Sequence, residues 1–195
     1  MIKVGITGGI GSGKSTVCKV FKVMGIPVFE ADTVAKQLMT TDPEIRRQLI
    51  QVFGAVVYLP DQSIDRKYLA GLVFNSPSLL VKLNQIVHPA VLKEFDEWCL
   101  TKQTTYILHE AAILFESGFY KLMNQIIAVV ANEDERIQRV MKRDGATIEL
   151  VRQRMKNQLS DEERIKLADF VISNNDNELI IPQILNIDKK IRANG

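Results

Sequence analysis

What the chain lacks narrows its class first. Two cysteines in 195 residues, Cys18 and Cys99, offer neither a metal spacing nor a disulfide framework. Cys18 falls in a helical run and reads as a small buried hydrophobe, and cysteine use this sparse implies a reducing cytoplasm. The formal charge is only +2. That is too little for a general affinity for nucleic acid, so an anion must be met by local clusters. No apolar run approaches the roughly 18 residues that mark a membrane span. Met1 opens directly onto a strand-like segment, so no signal peptide is expected. Repeats and low-complexity tracts are missing too. With 46% hydrophobic and 25% charged residues, the expectation is one globular domain with a sizeable core, free of membrane and nucleic acid.

What the chain does have is concentrated near its start. Ile2 to Thr7, a β-branched run, leads into Gly8-Gly9-Ile10-Gly11-Ser12-Gly13-Lys14-Ser15-Thr16, and Val17 to Met24 follow with helical periodicity. Gly8 to Ser15 meets G-x-x-x-x-G-K-[ST] in the strand–loop–helix setting of a phosphate-binding loop. Glycines let the backbone turn through positive φ and come close to an anion. The loop amides and the positive end of the helix then face the phosphates. Lys14 brings an ammonium to the β- and γ-phosphates, and Ser15 a hydroxyl to Mg²⁺. Gly11, Ser12, Gly13 and Thr16 complete the expected nucleotide contacts.

Gly25 reads as a helix stop and Ile26 to Phe29 as a second strand, ending in Glu30-Ala31-Asp32. Acidic residues at a strand's carboxyl end sit beside the ligand crevice of an α/β sheet; alternatively Asp32 caps a helix over Thr33 to Met39. From Asp42 to about Lys102 the pattern is almost wholly helical. Asp42 and Pro43 open one helix to Phe53, and Asp65 to Phe74 form another. Ser76-Pro77 start a third and Pro89 a fourth, with His88 as its candidate cap. So many helices between two strands suggest a separate substrate-binding part. Thr105 to His109, Gln125 to Val130 and Asp169 to Ile172 are the remaining strands, and His109 reads as a core residue. Helices are expected over Asn132 to Arg143, with an Asn132–Glu135 capping box, over Thr147 to Leu159, and over Ser160 to Ala168, whose box is Ser160–Glu163. A last helix, Leu179 to Ile191, is interrupted by Pro182.

Arg136, Arg139, Arg143, Arg152, Arg154 and Arg164 crowd between the last two strands. Interleaved acids make a solvated, salt-bridged face the ordinary expectation for most of them. Arg136, Arg139 and Arg143, spaced i, i+3, i+7, would share one helix face, and forked donors suit a transferring phosphoryl group. A small-molecule kinase fits the helical insertion and the arginine-rich lid. A regulatory GTPase would need an Asn-Lys-x-Asp run after Val130, which is not there, and a nucleic-acid ATPase would need a basic, aromatic-interleaved surface.

Taken together, these residues resemble the dephospho-CoA kinase family over nearly the whole chain. The likeness is carried by Gly5 to Thr16, by Ala31-Asp32 with Val34 to Gln37, and by Arg66-x-x-Leu69 with Val73-Phe74. It continues through Val87-His88-Pro89, Leu114-Phe115-Glu116, Arg139 with Arg143-Asp144, and Asp169-x-Val171-Ile172-x-Asn174. Glu30 stands where the family's Asp-Ala-Asp has its first aspartate, and Ala112 where many members have proline.

The resemblance implies an α/β P-loop kinase fold, a three-layer sandwich with a five-stranded parallel sheet; the order 2-3-1-4-5 is borrowed by fold analogy from nucleoside monophosphate-type kinases. It implies a core of 1–31, 104–131 and 168–195, a helical CoA-binding part over 32–103 and a lid over 132–167. The implied reaction is ATP-dependent phosphorylation of the ribose 3′-hydroxyl of dephospho-CoA, with ATP and Mg²⁺, in a monomer or weak homo-oligomer. Lys14, Asp32, Arg139 and Arg143 would be catalytic, with Arg164 as a further lid contact. Asn174 would meet the adenine, and Asp32 and His88 the acceptor. Ser15 would hold Mg²⁺, with Glu110 a candidate for a water-bridged contact.

Overall fold

Runs such as Ile2–Thr7 and Gln125–Val130 are buried at successive residues, which only a sheet covered by helices on both faces tolerates. The computed structural model describes residues 1–74 and 76–193, the side chain of Phe74 excepted. The expected core segment 168–195 therefore ends on two residues outside the described ones. Strands β1 (Ile2–Thr7), β2 (Val28–Glu30), β3 (Tyr106–Glu110), β4 (Gln125–Val130) and β5 (Phe170–Ser173) form one parallel sheet in the order β2-β3-β1-β4-β5. The order borrowed by analogy is the observed one. The register sets Ile6 and Glu30 both opposite Glu110, so the carboxyl ends of β1, β2 and β3 are level.

Two compact units result: Met1–Glu30 with Lys102–Gly195, and Ala31–Thr101. In the first, α1 (Lys14–Val23) and α9 (Ile180–Ala193) pack together on the sheet. Val17 and Phe21 from α1 and Ile184, Ile187 and Ile191 from α9 recur at helical spacing. They join Val4, Ile6, Leu108, Ile127, Val129 and Ile172 in one buried cluster. Emptying a site such as Phe21, fully buried here, costs about 3–5 kcal/mol. The Tyr106 hydroxyl reaches across to Asp188 Oδ1 at 2.7 Å, tying β3 to α9. Pro182 does not interrupt α9. It is the third helical residue, where an amide would have no partner within the helix in any case.

The same unit carries α6 (Glu133–Asp144), α7 (Ile148–Lys156) and α8 (Asp161–Leu167). The Ser160–Glu163 capping box forms in full. The Asn132–Glu135 box does not, because the Glu135 carboxylate is taken by Arg139 and by the amide of Asp176.

The second unit holds α2 (Ala31–Thr41), α3 (Pro43–Phe53), α4 (Arg66–Phe74) and α5 (Pro77–Leu100). Asp42 caps α3 by accepting from the amides of Glu44 and Ile45, and Ser76 caps α5. Pro89 lies inside α5 and begins no fourth helix. Its ring costs an amide bond to Gln85, but Val87, Val91, Phe95 and Cys99 form a buried stripe at i, i+4, i+8 and i+12 that spans the proline and holds the helix whole. Both cysteines are buried, and neither is in a disulfide.

Candidate active site

The loop after β1 takes its shape from two left-handed glycines, Gly11 at φ 80° and Gly13 at φ 91°. Gly13 is the N-cap of α1, so the helix begins at Lys14 rather than Val17, and its first amides open toward the loop. The amide of Ser12 bonds the Gly9 carbonyl at 3.0 Å, and the amides of Thr16 and Val17 bond the Gly13 carbonyl. Lys14 Nζ donates to the Gly8 carbonyl at 2.8 Å, laying the ammonium across the mouth of the loop. Ser15 and Thr16 are exposed on the first turn of α1, whereas Ser12 is buried. Among the described residues, no group of three or more His, Cys, Asp or Glu could hold a metal ion.

Asn174 follows β5 and closes the loop from the other side. Its Nδ2 donates to the Ser12 carbonyl at 2.8 Å, and a Cβ on Gly13 would collide with that same nitrogen. Arg139 is one turn of α6 beyond Glu135 and binds both Glu135 at 2.9 Å and Asp176 at 2.6 Å. The bond to Asp176, with that from the Asp176 amide to Glu135, pins α6 to the turn that carries Asn174. Glu110 ends β3 beside Glu30, and Lys22 binds Glu30. These charges surround Cys18, whose thiol is pushed up to about 12, by burial first and then by Glu110. It is not a nucleophile.

Arg136, Arg139 and Arg143 all fall on α6 as their spacing suggested, but their surroundings differ, and Arg164 differs again. Arg143 is out in solvent, gripped by Asp144 at 2.7 and 3.0 Å, a bond that raises its own pKa and holds Asp144 below the usual carboxylate range. Arg164 is fully buried, paired with Asp161 at 2.9 Å and Glu116 at 3.7 Å. Arg136 is buried as well. Its Nε donates to the Ile10 carbonyl at 3.0 Å and its Nη1 to Asp161 at 2.8 Å. Burial works against the charge on Arg136, and Asp161 beside it works for the charge. Gln158 Oε1 accepts from the Ile10 amide at 2.9 Å, so both backbone polar groups of Ile10, and with them two successive peptides, are held. Gln158, Asp161 and Glu116 were not singled out for a role at the loop from their place in the sequence. The signal for Arg136 was its position four residues before Val140, on the buried stripe of α6.

In the helical unit, Asp32 is the second residue of α2. It lies within the first turn and is not the cap of a helix starting at Thr33. It is half-buried. His88 is inside α5, which rules out a capping role, and burial lowers its pKa. α2 and α5 pack against each other. Close to Asp32 in the chain, Thr33, Lys36, Gln37, Thr40, Thr41 and Arg66 line a cavity of about 520 Å³ whose charged groups are both cations.

A family model described as dephospho-CoA kinase matches residues 2–179. The chain is 41% identical over 187 residues to a dephospho-CoA kinase of Bacteroides fragilis, covering 95% of this chain and 91% of that one. It is 39% identical over 194 residues to one of Porphyromonas gingivalis, covering 99% and 96%. Among solved structures it resembles protein TT1252 of Thermus thermophilus, with a TM-score of 0.86, 32% identity and coverage of 99% and 97%.

Proposed function

The chain belongs to the dephospho-CoA kinase family, and from that premise we propose that it transfers the γ-phosphoryl group of ATP to the ribose 3′-hydroxyl of dephospho-CoA. The observation that supports this most is the loop from Gly8 to Thr16, with Lys14 laid over it and Asn174 closed against it. The triphosphate occupies the loop, and Lys14 meets the β- and γ-oxygens. Adenine rests against the turn after β5, near Asn174. Ser15 would hold Mg²⁺, and the ion would supply neutralisation of the charge on the β- and γ-phosphates.

Asp32 accepts or orients the proton of the attacking hydroxyl. The loose transition state needs little deprotonation, so alignment of the hydroxyl is its main task. Arg139 and Arg143 meet the charge on the equatorial oxygens once their acidic partners are exchanged for phosphate, as a lid over 132–167 closes. The helical part, 32–103, binds the acceptor. The cavity lined by Lys36 and Arg66 suits the diphosphate of dephospho-CoA, and His88 lines the acceptor site. Two buried cysteines outside any disulfide support a cytoplasmic enzyme, which works as a monomer or weak homo-oligomer.

The test offers purified protein and Mg-ATP to dephospho-CoA, adenosine, AMP and shikimate, and follows ADP release. Turnover with dephospho-CoA far above the others is expected. Equal or faster turnover with shikimate would replace the acceptor.

A further inference from the structure

The glycines of a phosphate-binding loop are usually explained by the approach of the anion. Two of them here have a second reason in one residue of α6. A Cβ on Gly9 would run into Arg136 Nη2 and come within 2.6 Å of its Cζ, and one on Gly11 would come within 2.9 Å of Arg136 Cα. The space that side chains would fill on this flank of the loop is therefore filled by the Arg136 guanidinium beside Gly9 and by the α6 backbone at the same residue beside Gly11. That arginine is 6% exposed. Its Nε holds the Ile10 carbonyl while Gln158 holds the Ile10 amide. Behind it stands a closed set of charges. Asp161 bridges Arg136 and Arg164, Arg164 faces Glu116, and Glu116 accepts from the Leu159 amide at 3.0 Å.

We propose that Arg136 is a positioning residue for phosphoryl transfer. It acts as the mould against which Gly9 to Gly11 set, so that the curvature of the loop, and with it the aim of its amides, is dictated by the 158–164 segment. Arg136 touches loop backbone and not the reacting atoms. Its contribution is to hold the loop amides where a triphosphate needs them, and misplacement by about 1 Å is worth about a hundredfold in rate. Asp161 keeps the guanidinium charged and fixed in its buried place, and Gln158 stops the Ile10 peptide from turning over. The inference rests on the reading of this loop as the ATP site.

The experiment uses the full chain and two readouts, binding of a fluorescent ATP analogue and steady-state kinetics in each substrate. Arg136→Met is expected to lower kcat/KM for ATP by about a hundredfold and to weaken analogue binding, with KM for dephospho-CoA unchanged. Gly9→Ala should do the same on its own and add no further loss once Arg136 is replaced by serine, because the methyl then has room. Wild-type analogue binding by Arg136→Met, or independent and additive losses from Gly9→Ala and Arg136→Ser, would overturn the proposal. If Arg136→Met does not unfold cooperatively, Arg136→Lys reads the same split, keeping a charge for Asp161 but losing the Nε bond to Ile10. A wild-type protein that binds no ATP analogue would instead refute the ATP reading beneath the proposal.

Discussion

Between β4 and β5 the chain spends arginines in two ways. Arg136 and Arg164 are 6% and 0% exposed and locked to Asp161. The Arg139 side chain is 30% exposed and that of Arg143 63%, and their acidic partners lie on or near the surface. The same side chain within 30 residues thus answers to two different demands. A buried guanidinium cannot be released without stranding its carboxylate, so it belongs to the fold and to the shape of the loop. A half-buried or exposed one can exchange a nearby acid for a phosphate at lower cost, which is why Arg139 and Arg143 are the ones we propose for the reaction.

The comparison predicts effects that separate stability from rate, and the largest lies in rate. Replacing Arg139 and Arg143 together by alanine should lower kcat by about 10³-fold or more. Unfolding stability should change by no more than about 1 kcal/mol, as is usual for exposed ion pairs. Near-normal turnover in that variant would erase the division. Arg164→Met should do the reverse. Leaving Asp161 and Glu116 without their buried partner costs about 3–5 kcal/mol, read from urea unfolding. A loss below about 1 kcal/mol would mean that burial is no guide to role.

His109 extends the rule to another buried basic group. It is 1% exposed, stacked between Phe29 and Phe119, and burial takes its pKa down from 6.5 to about 4. Within that window the unfolded chain binds the extra proton, so stability is full above the upper value and falls as pH drops toward the lower, by roughly 3 kcal/mol at most. His109→Leu should flatten the slope in pH-dependent melting; an unchanged slope would assign it to other groups.

The smallest effect belongs to Asp144, an exposed acid held below its ordinary 3.8, first by the hydrogen bond from Arg143. A depressed carboxylate stabilises above its ordinary pKa and loses that contribution as pH falls below it. Asp144→Asn should therefore cost under about 1 kcal/mol at neutral pH, and the difference from wild type should vanish in acid or high salt. A cost that persists in molar salt would argue for packing instead of charge.

The sheet and the loop were legible in the residues because their signals are local. A β-branched run before the glycines, a lysine at the right spacing and proline or aspartate at helix starts each act within a few positions. Pro89 misled because its cost is local while the stripe from Val87 to Cys99 that overrides it comes from packing. Asn132 looked like a cap for the same reason, and lost Glu135 to Arg139 and the amide of Asp176. Arg136 could be seen in its cluster, but spacing on a helix does not tell which charged residue turns inward. What decided that was an empty flank on a glycine loop 126 residues earlier in the chain.

The reach of that pairing bears on how the protein is made. Residues 8–15 leave the ribosome well before the groups that brace Ile10, which lie 126 and 148 positions later, and β1 waits for β3 and β4 on either side of it. A nascent chain halted after β2 carries every letter of the nucleotide-gripping motif without its form. Contacts of such sequence separation are slow to close, so the earliest part of the active centre to be translated is among the last to be finished.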